Sequence, residues 1–295
     1  MMKEDHNMDS YFSEREITHP YTSGLFQKDL TLKEMTELSA DLTEEEKKSP
    51  FARYFYEPMA ELQPQMKEAA ERGPLKENEM YMPDQAGPIL LNGSTEYPMN
   101  GYGVMENGVG YAAILAHQYG ITDEMIAAYR DHFAVTEDMK QRTLFYKTWY
   151  PGKHLIHFED AIIEDFGWGF CLQNMDWSIF NMEKHFGVKR EDLLKIDPNC
   201  IAVMGLGGEC FAINNPEDRT DTLMLQYITE TEKGRELSIH YFYGVKVTPD
   251  GKMEICPNVG KEELTGRMKG MMLHAMYECC NEIKHIKEFW SEYQK

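Results

Sequence analysis

The C-terminal segment from Gly260 to about Tyr293 constrains the fold most strongly, because its pattern predicts one long helix. Glu262 and Glu263 lie in its first turn and lysines lie near its end, an arrangement that suits the helix dipole. Apolar residues recur along one face at spacings of three, four or seven. This stripe consists of Met268, Met272, Ala275, Cys279, Ile286 and Trp290.

The segment before this helix predicts antiparallel strands. Three runs at 200–213, 223–231 and 236–247 are rich in β-branched and aromatic residues. Turn residues separate the last two runs at 232–234 and follow them at 249–251. A curved antiparallel sheet closed by one long helix can enclose a cavity for a flat hydrophobic ligand. The sequence therefore predicts an α+β fold.

The N-terminal part predicts helices and loops. Residues 31–72 have a helical pattern with Thr31 and Thr43 as N-caps, and residues 73–110 hold the Gly, Pro and Asn of loops and short strands. We predict an N-terminal region over 1–95 and a second domain over 96–295.

Two further helices are predicted within the second domain. Thr122 caps the first of them, because Asp123 and Glu124 follow it and favour the positive end of the dipole. The second helix begins near Thr136.

Charge and cysteine usage exclude several classes of function. The 295-residue chain has a formal net charge of −20, which disfavours binding to nucleic acid or to an anionic membrane surface. Its start does not resemble a signal peptide, and no stretch approaches the roughly 20 apolar residues of a membrane span. The six cysteines are scattered without a CxxC pair, as in a reducing compartment. We expect a soluble, cytoplasmic protein.

Candidate metal ligands lie on the C-terminal helix. His274 and Glu278 are four residues apart, so their side chains share one helical face with Cβ atoms about 5–6 Å apart. An imidazole and a carboxylate so placed can bind one divalent ion. A solvated pair or a core histidine explains the same spacing. Further ligands could come from His132 or from the segment 149–164, which holds two histidines and three acids.

Four segments in register resemble the diacetylphloroglucinol hydrolase and phloretin hydrolase family. They are the run from Gly120 to Ile126, then His132, the run from Tyr146 to His154, and the pair His274 and Glu278. The resemblance covers roughly residues 97 to 285.

This resemblance implies a fold, a metal site and a dimer. The family has a helix-grip fold, similar to pollen-allergen and START domains, with an added N-terminal region for dimerisation. Its zinc ligands correspond here to His132, Glu164, His274 and Glu278, with Glu159 as the alternative to Glu164. Manganese or iron would also suit these residue types.

The implied activity is hydrolysis of the carbon–carbon bond between an acyl group and a phenolic ring. A small acyl-phenol such as phloretin would give a carboxylic acid and phloroglucinol. Because an aryl carbanion is a poor leaving group, the ring carbon must first be protonated before metal-activated water attacks the carbonyl. The alternatives are a non-catalytic carrier of a phenolic ligand, and a metal-dependent β-diketone hydrolase or decarboxylase.

Several residues could move protons or hold the ring hydroxyls. We consider His154, His240 and Tyr241 as catalytic candidates, and Tyr243 and Tyr227 as substrate-binding candidates. Side chains alternate along a strand, so His240 and Tyr241 cannot both face the cavity without a bulge. Buried core aromatics would give the same pattern.

Overall fold

The computed structural model describes residues 41–92, 97–133, 139–157, 161–165, 169–174, 182–189, 192, 201–206, 209–212, 215–219, 222–247, 252–257 and 259–295. Predictions for Thr31, Thr136 and Glu159 lie outside these residues. Within the ranges given, none of the helices combines the length and apolar character that crossing a bilayer requires.

Among the described residues, two five-stranded antiparallel sheets and one two-stranded pair form the β part of the fold. The first has the order β1-β2-β10-β9-β6 and comprises β1 (Gly101–Val104), β2 (Gly110–Gln118), β6 (Ile201–Leu206), β9 (Thr222–Thr231) and β10 (Gly234–Tyr243). The second has the order β3-β4-β5-β7-β8 and comprises β3 (His154–His157), β4 (Ala161–Asp165), β5 (Gly169–Asn174), β7 (Glu209–Ala212) and β8 (Asn215–Arg219). Strands β11 (Val245–Val247) and β12 (Met253–Ile255) form a separate pair.

Seven α-helices are described beside these sheets. They are α1 (Arg53–Tyr56), α2 (Pro64–Arg72), α3 (Pro83–Asn92), α4 (Asp123–Phe133), α5 (Met139–Trp149), α6 (Met182–Phe186) and α7 (Lys261–Tyr293). Short 3₁₀ turns lie at Glu46–Lys48 and Glu77–Glu79.

The long helix α7 packs on the first sheet, where it contacts β1 and β2. Alternation along β10 directs Leu237, Ile239 and Tyr241 into the core shared with α7. Phe242 points to the opposite face, into a second apolar cluster beneath α3. The coarse prediction of an α+β fold with antiparallel strands and a long C-terminal helix is therefore confirmed.

Local signals located several elements correctly. The predicted C-terminal helix spans Lys261–Tyr293 with Gly260 as its N-cap. The Thr122 hydroxyl accepts a hydrogen bond from the Met125 amide at 3.2 Å, which confirms the predicted cap of α4. Thr43 and Glu46 exchange two hydrogen bonds at the first 3₁₀ turn, but the N-cap of that turn is Glu45, so the predicted N-cap at Thr43 was wrong by two residues.

The prediction of loops and short strands over 73–110 was wrong for helix α3. Its Gly87 and Pro88 suggest a turn, but Pro83 occupies the first helical position, which proline favours. A Cβ atom on Gly87 would collide with Val188 and with the Phe186 carbonyl. Gly87 therefore permits α3 to approach this segment closely, and packing outweighs its low helix propensity.

Residues from the N-terminal region belong to the hydrophobic core that packs against α7. Tyr54, Leu62 and Met66 belong to the same buried cluster as the helix. Arg53 pairs with Glu292 at 2.8 Å on the surface above. The boundary at residue 95 between the N-terminal region and the second domain stays a prediction.

We expect a buried histidine on α7 to make the fold sensitive to acid. His285 is fully buried, and neither ring nitrogen has a hydrogen-bond partner among the residues described. Burial, with the charge of Lys284, lowers its pKa from 6.5 to about 3. Below pH 6.5 the unfolded chain binds a proton that the folded protein does not, so stability falls as pH falls.

His285→Phe should therefore abolish about 2 kcal/mol of the stability loss between pH 7 and pH 5. Urea unfolding of both proteins at the two pH values measures this difference. His117→Phe, at a partly exposed position, is the control. An equal loss in wild type and His285→Phe would show that His285 does not titrate in this way.

Candidate metal centre

Three side chains from two distant segments converge beside α7. His274 and Glu278 lie one turn apart on the helix, and His154 begins strand β3. One potential ligand atom from each residue lies within 4.8 Å of the others. Both histidines are buried and Glu278 is half-buried. The spacing of His274 and Glu278 predicted this pair, and the structure adds His154 to it.

A tight turn fixes the orientation of His154. Gly152 has a φ of +77°, a conformation that glycine adopts without strain, and the turn returns the chain over α5. The His154 Nδ1–H donates to the Tyr146 carbonyl at 2.9 Å, and the two rings stack 3.9 Å apart. With the proton held at Nδ1, Nε2 presents its lone pair to the cluster. Ligating histidines commonly have such a partner.

His274 faces His154 as a neutral imidazole. Their Nε2 atoms lie 2.9 Å apart, and Tyr150 stacks on the His274 ring at 4.7 Å. Burial, assisted by the positive charge of Lys153, lowers the pKa of His274 to about 3. The ring is therefore uncharged at neutral pH, as metal binding requires.

The geometry permits a divalent cation between these donors. Two metal–nitrogen bonds of about 2.0–2.1 Å span about 2.9 Å when they meet at roughly 90°. The same 2.9 Å separation allows one ring to donate a hydrogen bond to the other. The nearby carboxylate of Glu278 favours the cation, because it would supply the negative charge of a mixed nitrogen and oxygen site.

The structure brings the backbone of Glu164 close to this cluster. In the β3–β4 ladder Glu164 occupies the position directly opposite His154. His132 lies in the last turn of α4, which packs against α7. The side chains of these two residues are outside the part of the chain that the structure describes in atomic detail.

Asn281 on α7 makes hydrogen bonds to the end of α5, the helix that precedes His154. The sequence analysis did not identify this role. Its side-chain amide donates to the carbonyls of Thr148 and Trp149, each at 3.0 Å, and its oxygen accepts from the Ala60 amide. Asn281 is fully buried. A polar residue three positions after Glu278, on an apolar helix face, was the available signal.

A cavity of about 100 Å³ lies next to the cluster, between α7 and the first sheet. Glu278 belongs both to the cluster and to the cavity wall. The wall is mixed in character, and its apolar members are Ile126, Trp149, Ile228, Leu237, Ile239, Cys279 and Ile286. The polar members are Gln118, Gln226, Arg235, Glu278 and Glu282.

The remaining predicted residues do not line this cavity. Tyr241 and Tyr243 face α7, and the Tyr243 hydroxyl accepts a hydrogen bond from Arg267 at 2.9 Å. His240 lies on the other face of the sheet, where its Nδ1 meets the Tyr81 hydroxyl at 2.7 Å. Tyr227 belongs to the cluster on that same far face. Strand alternation separates His240 and Tyr227 from the candidate metal centre, whereas Tyr241 and Tyr243 share the sheet face that packs on α7.

The fold and the site together define an α+β protein with a candidate metal centre beside a small cavity that has both polar and apolar walls. No protein-family model matches the chain. A comparison with curated proteins gives no significant match either. The resemblance to the phloretin hydrolase family therefore stays a prediction from the sequence motifs.

Proposed function

We propose that the protein is a metal-dependent hydrolase that cleaves the carbon–carbon bond between an acyl group and a phenolic ring. One observation carries the proposal: His154, His274 and Glu278 each have a potential ligand atom within 4.8 Å of the other two, beside a cavity with a partly apolar wall. The sequence motifs that resemble phloretin hydrolases fall on the same elements, since they include His154, His274 and Glu278.

The metal ligands form the next part of the proposal. His154, His274 and Glu278 would hold the cation, with Glu164 added from the strand position opposite His154 and His132 from the end of α4. Zinc suits these donors, and manganese or iron would also accept them. A helix-grip fold, a cytoplasmic location and a homodimer assembled through the N-terminal region complete the proposal.

The chain itself would supply binding and a hydrogen-bond donor. A bound divalent cation polarises a carbonyl oxygen and lowers the pKa of water. The apolar part of the cavity wall would contact the ring. Tyr150, stacked on His274, keeps its phenolic proton because burial raises its pKa. Its hydroxyl is thus a candidate hydrogen-bond donor beside the metal cluster, outside the residues that line the cavity.

The test combines metal analysis with product analysis. We expect roughly one divalent ion per chain and, from phloretin, equal amounts of a carboxylic acid and phloroglucinol by chromatography. Active protein with an empty site would contradict the metal proposal. Metal-replete protein that binds phloretin without releasing either product would instead favour a carrier. Products other than these two would indicate a β-diketone hydrolase or a decarboxylase.

The same measurements decide between the two glutamates that resemblance offers as a ligand. Glu164→Gln should lower metal affinity by about 100-fold, because one charged donor is lost. Glu159→Gln is the matched control and should retain the metal. Equal loss in both variants, or loss only in Glu159→Gln, would remove Glu164 from the ligand set.

A further inference from the structure

Two polar side chains lie side by side in the wall of the cavity. Gln118 at the end of β2 and Arg235 near the start of β10 are register partners in the first sheet. Residues opposite one another in an antiparallel pair project from the same face. Gln118 is 4% exposed and Arg235 is 9% exposed. Both are therefore polar groups largely removed from water.

Each of these side chains has an atom without a hydrogen-bond partner among the described residues. In Gln118 it is the acceptor Oε1, and in Arg235 it is the donor Nε–H. The guanidinium is held from the outer side, because its Nη1 donates to the carboxylate of Asp123 on α4. Unpartnered buried polar atoms destabilise a fold, so two such atoms on residues that line one cavity point to a water molecule or a ligand group that satisfies them.

The chemistry of the two atoms selects the ligand group. A hydroxyl donates one hydrogen bond and accepts others, so a single hydroxyl can donate to Gln118 Oε1 and accept from Arg235 Nε–H. A carbonyl or carboxylate oxygen cannot donate to Gln118, and an ammonium group cannot accept from Arg235. Ile228 and Leu237 beside them suit an apolar ring. A hydroxyl on a flat ring meets these requirements, and a bound water molecule, which shares them, would give no preference between hydroxylated and bare rings.

We propose that Gln118 and Arg235 are specificity-determining residues that bind one ring hydroxyl of a phenolic ligand. This assignment of the ligand class rests on the proposed function. The same cavity reaches Glu278 of the metal cluster, so a ring bound here lies beside the candidate metal centre. The two residues would select for hydroxylated rings over bare ones.

The test compares equilibrium binding of two small rings by calorimetry, without any bond cleavage. Phloroglucinol carries three hydroxyls, and 1,3,5-trifluorobenzene has nearly the same shape without a hydrogen-bond donor. Gln118→Leu should reduce the preference for phloroglucinol by about 10-fold, because the acceptor is lost. Arg235→Lys should act similarly, since lysine keeps the charge beside Asp123 but lacks the Nε–H. Gln65→Leu, a matched change outside the cavity, should retain the preference.

Stability and activity separate the possible outcomes. Gln118→Leu should melt at or above the wild-type temperature, because it removes an unpartnered buried oxygen. A preference that stays within about threefold of wild type in both variants, or an equal loss for both ligands, would overturn the assignment. If phloretin is not cleaved but the preference falls, the hydroxyl site stands without the hydrolase. If phloretin is cleaved and the preference is unchanged, the hydrolase stands and the hydroxyl site fails.

Discussion

His274→Ala is expected to remove the bound metal and to lower the turnover of phloretin by about 1000-fold or more. A polarising cation contributes several kcal/mol to the transition state, and each 1.36 kcal/mol is about tenfold in rate. His274 is buried 2.9 Å from the other imidazole of the cluster, so no water-exposed group could readily replace it. Metal content by mass spectrometry and initial rates by chromatography measure both effects.

The matched control for this prediction is His117→Ala, on a partly exposed histidine of β2 outside the cluster. It should keep both metal and turnover. Circular dichroism must show that His274→Ala is folded, since the substitution also removes a buried ring. Full activity in folded His274→Ala, or metal retained at the wild-type level, would contradict the assigned role.

Glu46→Ala is expected to destabilise the protein by about 3–5 kcal/mol, the usual cost of leaving a buried charge unpaired. The partner is Lys147 on α5, whose ammonium lies 3.0 Å from the Glu46 carboxylate. The Lys147 side chain is only 1% exposed and that of Glu46 is 11% exposed. Urea unfolding followed by circular dichroism measures the loss.

Two further variants make this prediction specific. Glu44→Ala removes a neighbouring glutamate that pairs with Lys47 on the surface and should cost less than about 1 kcal/mol. The double variant Glu46→Leu with Lys147→Met removes both charges and should recover most of the lost stability. If Glu46→Ala were no worse than Glu44→Ala, the pair would contribute nothing measurable to the fold.

This ion pair also bears on the candidate site. Lys147 lies next to Tyr146, whose carbonyl orients His154. Glu46 belongs to the N-terminal region. The contact therefore links that region to the element that positions a candidate metal ligand, and a destabilised Glu46→Ala protein should also bind metal less tightly.

Local patterns in the sequence determined the elements that depend on near neighbours. The apolar stripe of α7, the Thr122 cap of α4 and the turn between β9 and β10 each involve residues within a few positions of one another. The pairing of His274 with Glu278 on one helical face follows from the same short spacing. Such features could be predicted because propensity and periodicity act over one or two turns.

Alternation along β10 was also predictable, but its direction was not. The sequence excluded a common face for His240 and Tyr241, whereas only packing against α7 decided that Tyr241 faces the helix. Long-range packing also decided that α3 forms a helix, because the close contact at Gly87 involves residues about a hundred positions later.

Only the tertiary structure brought His154 to the other candidate ligands. It lies 120 residues before His274, and the resemblance offered it as a catalytic candidate, with His132 and Glu164 as ligands and Glu159 as the alternative. The pairing of Gln118 with Arg235 likewise depends on strand register. Sites of this kind form where distant segments meet. The packing of the whole core decides which segments meet, and a local sequence pattern does not contain that information.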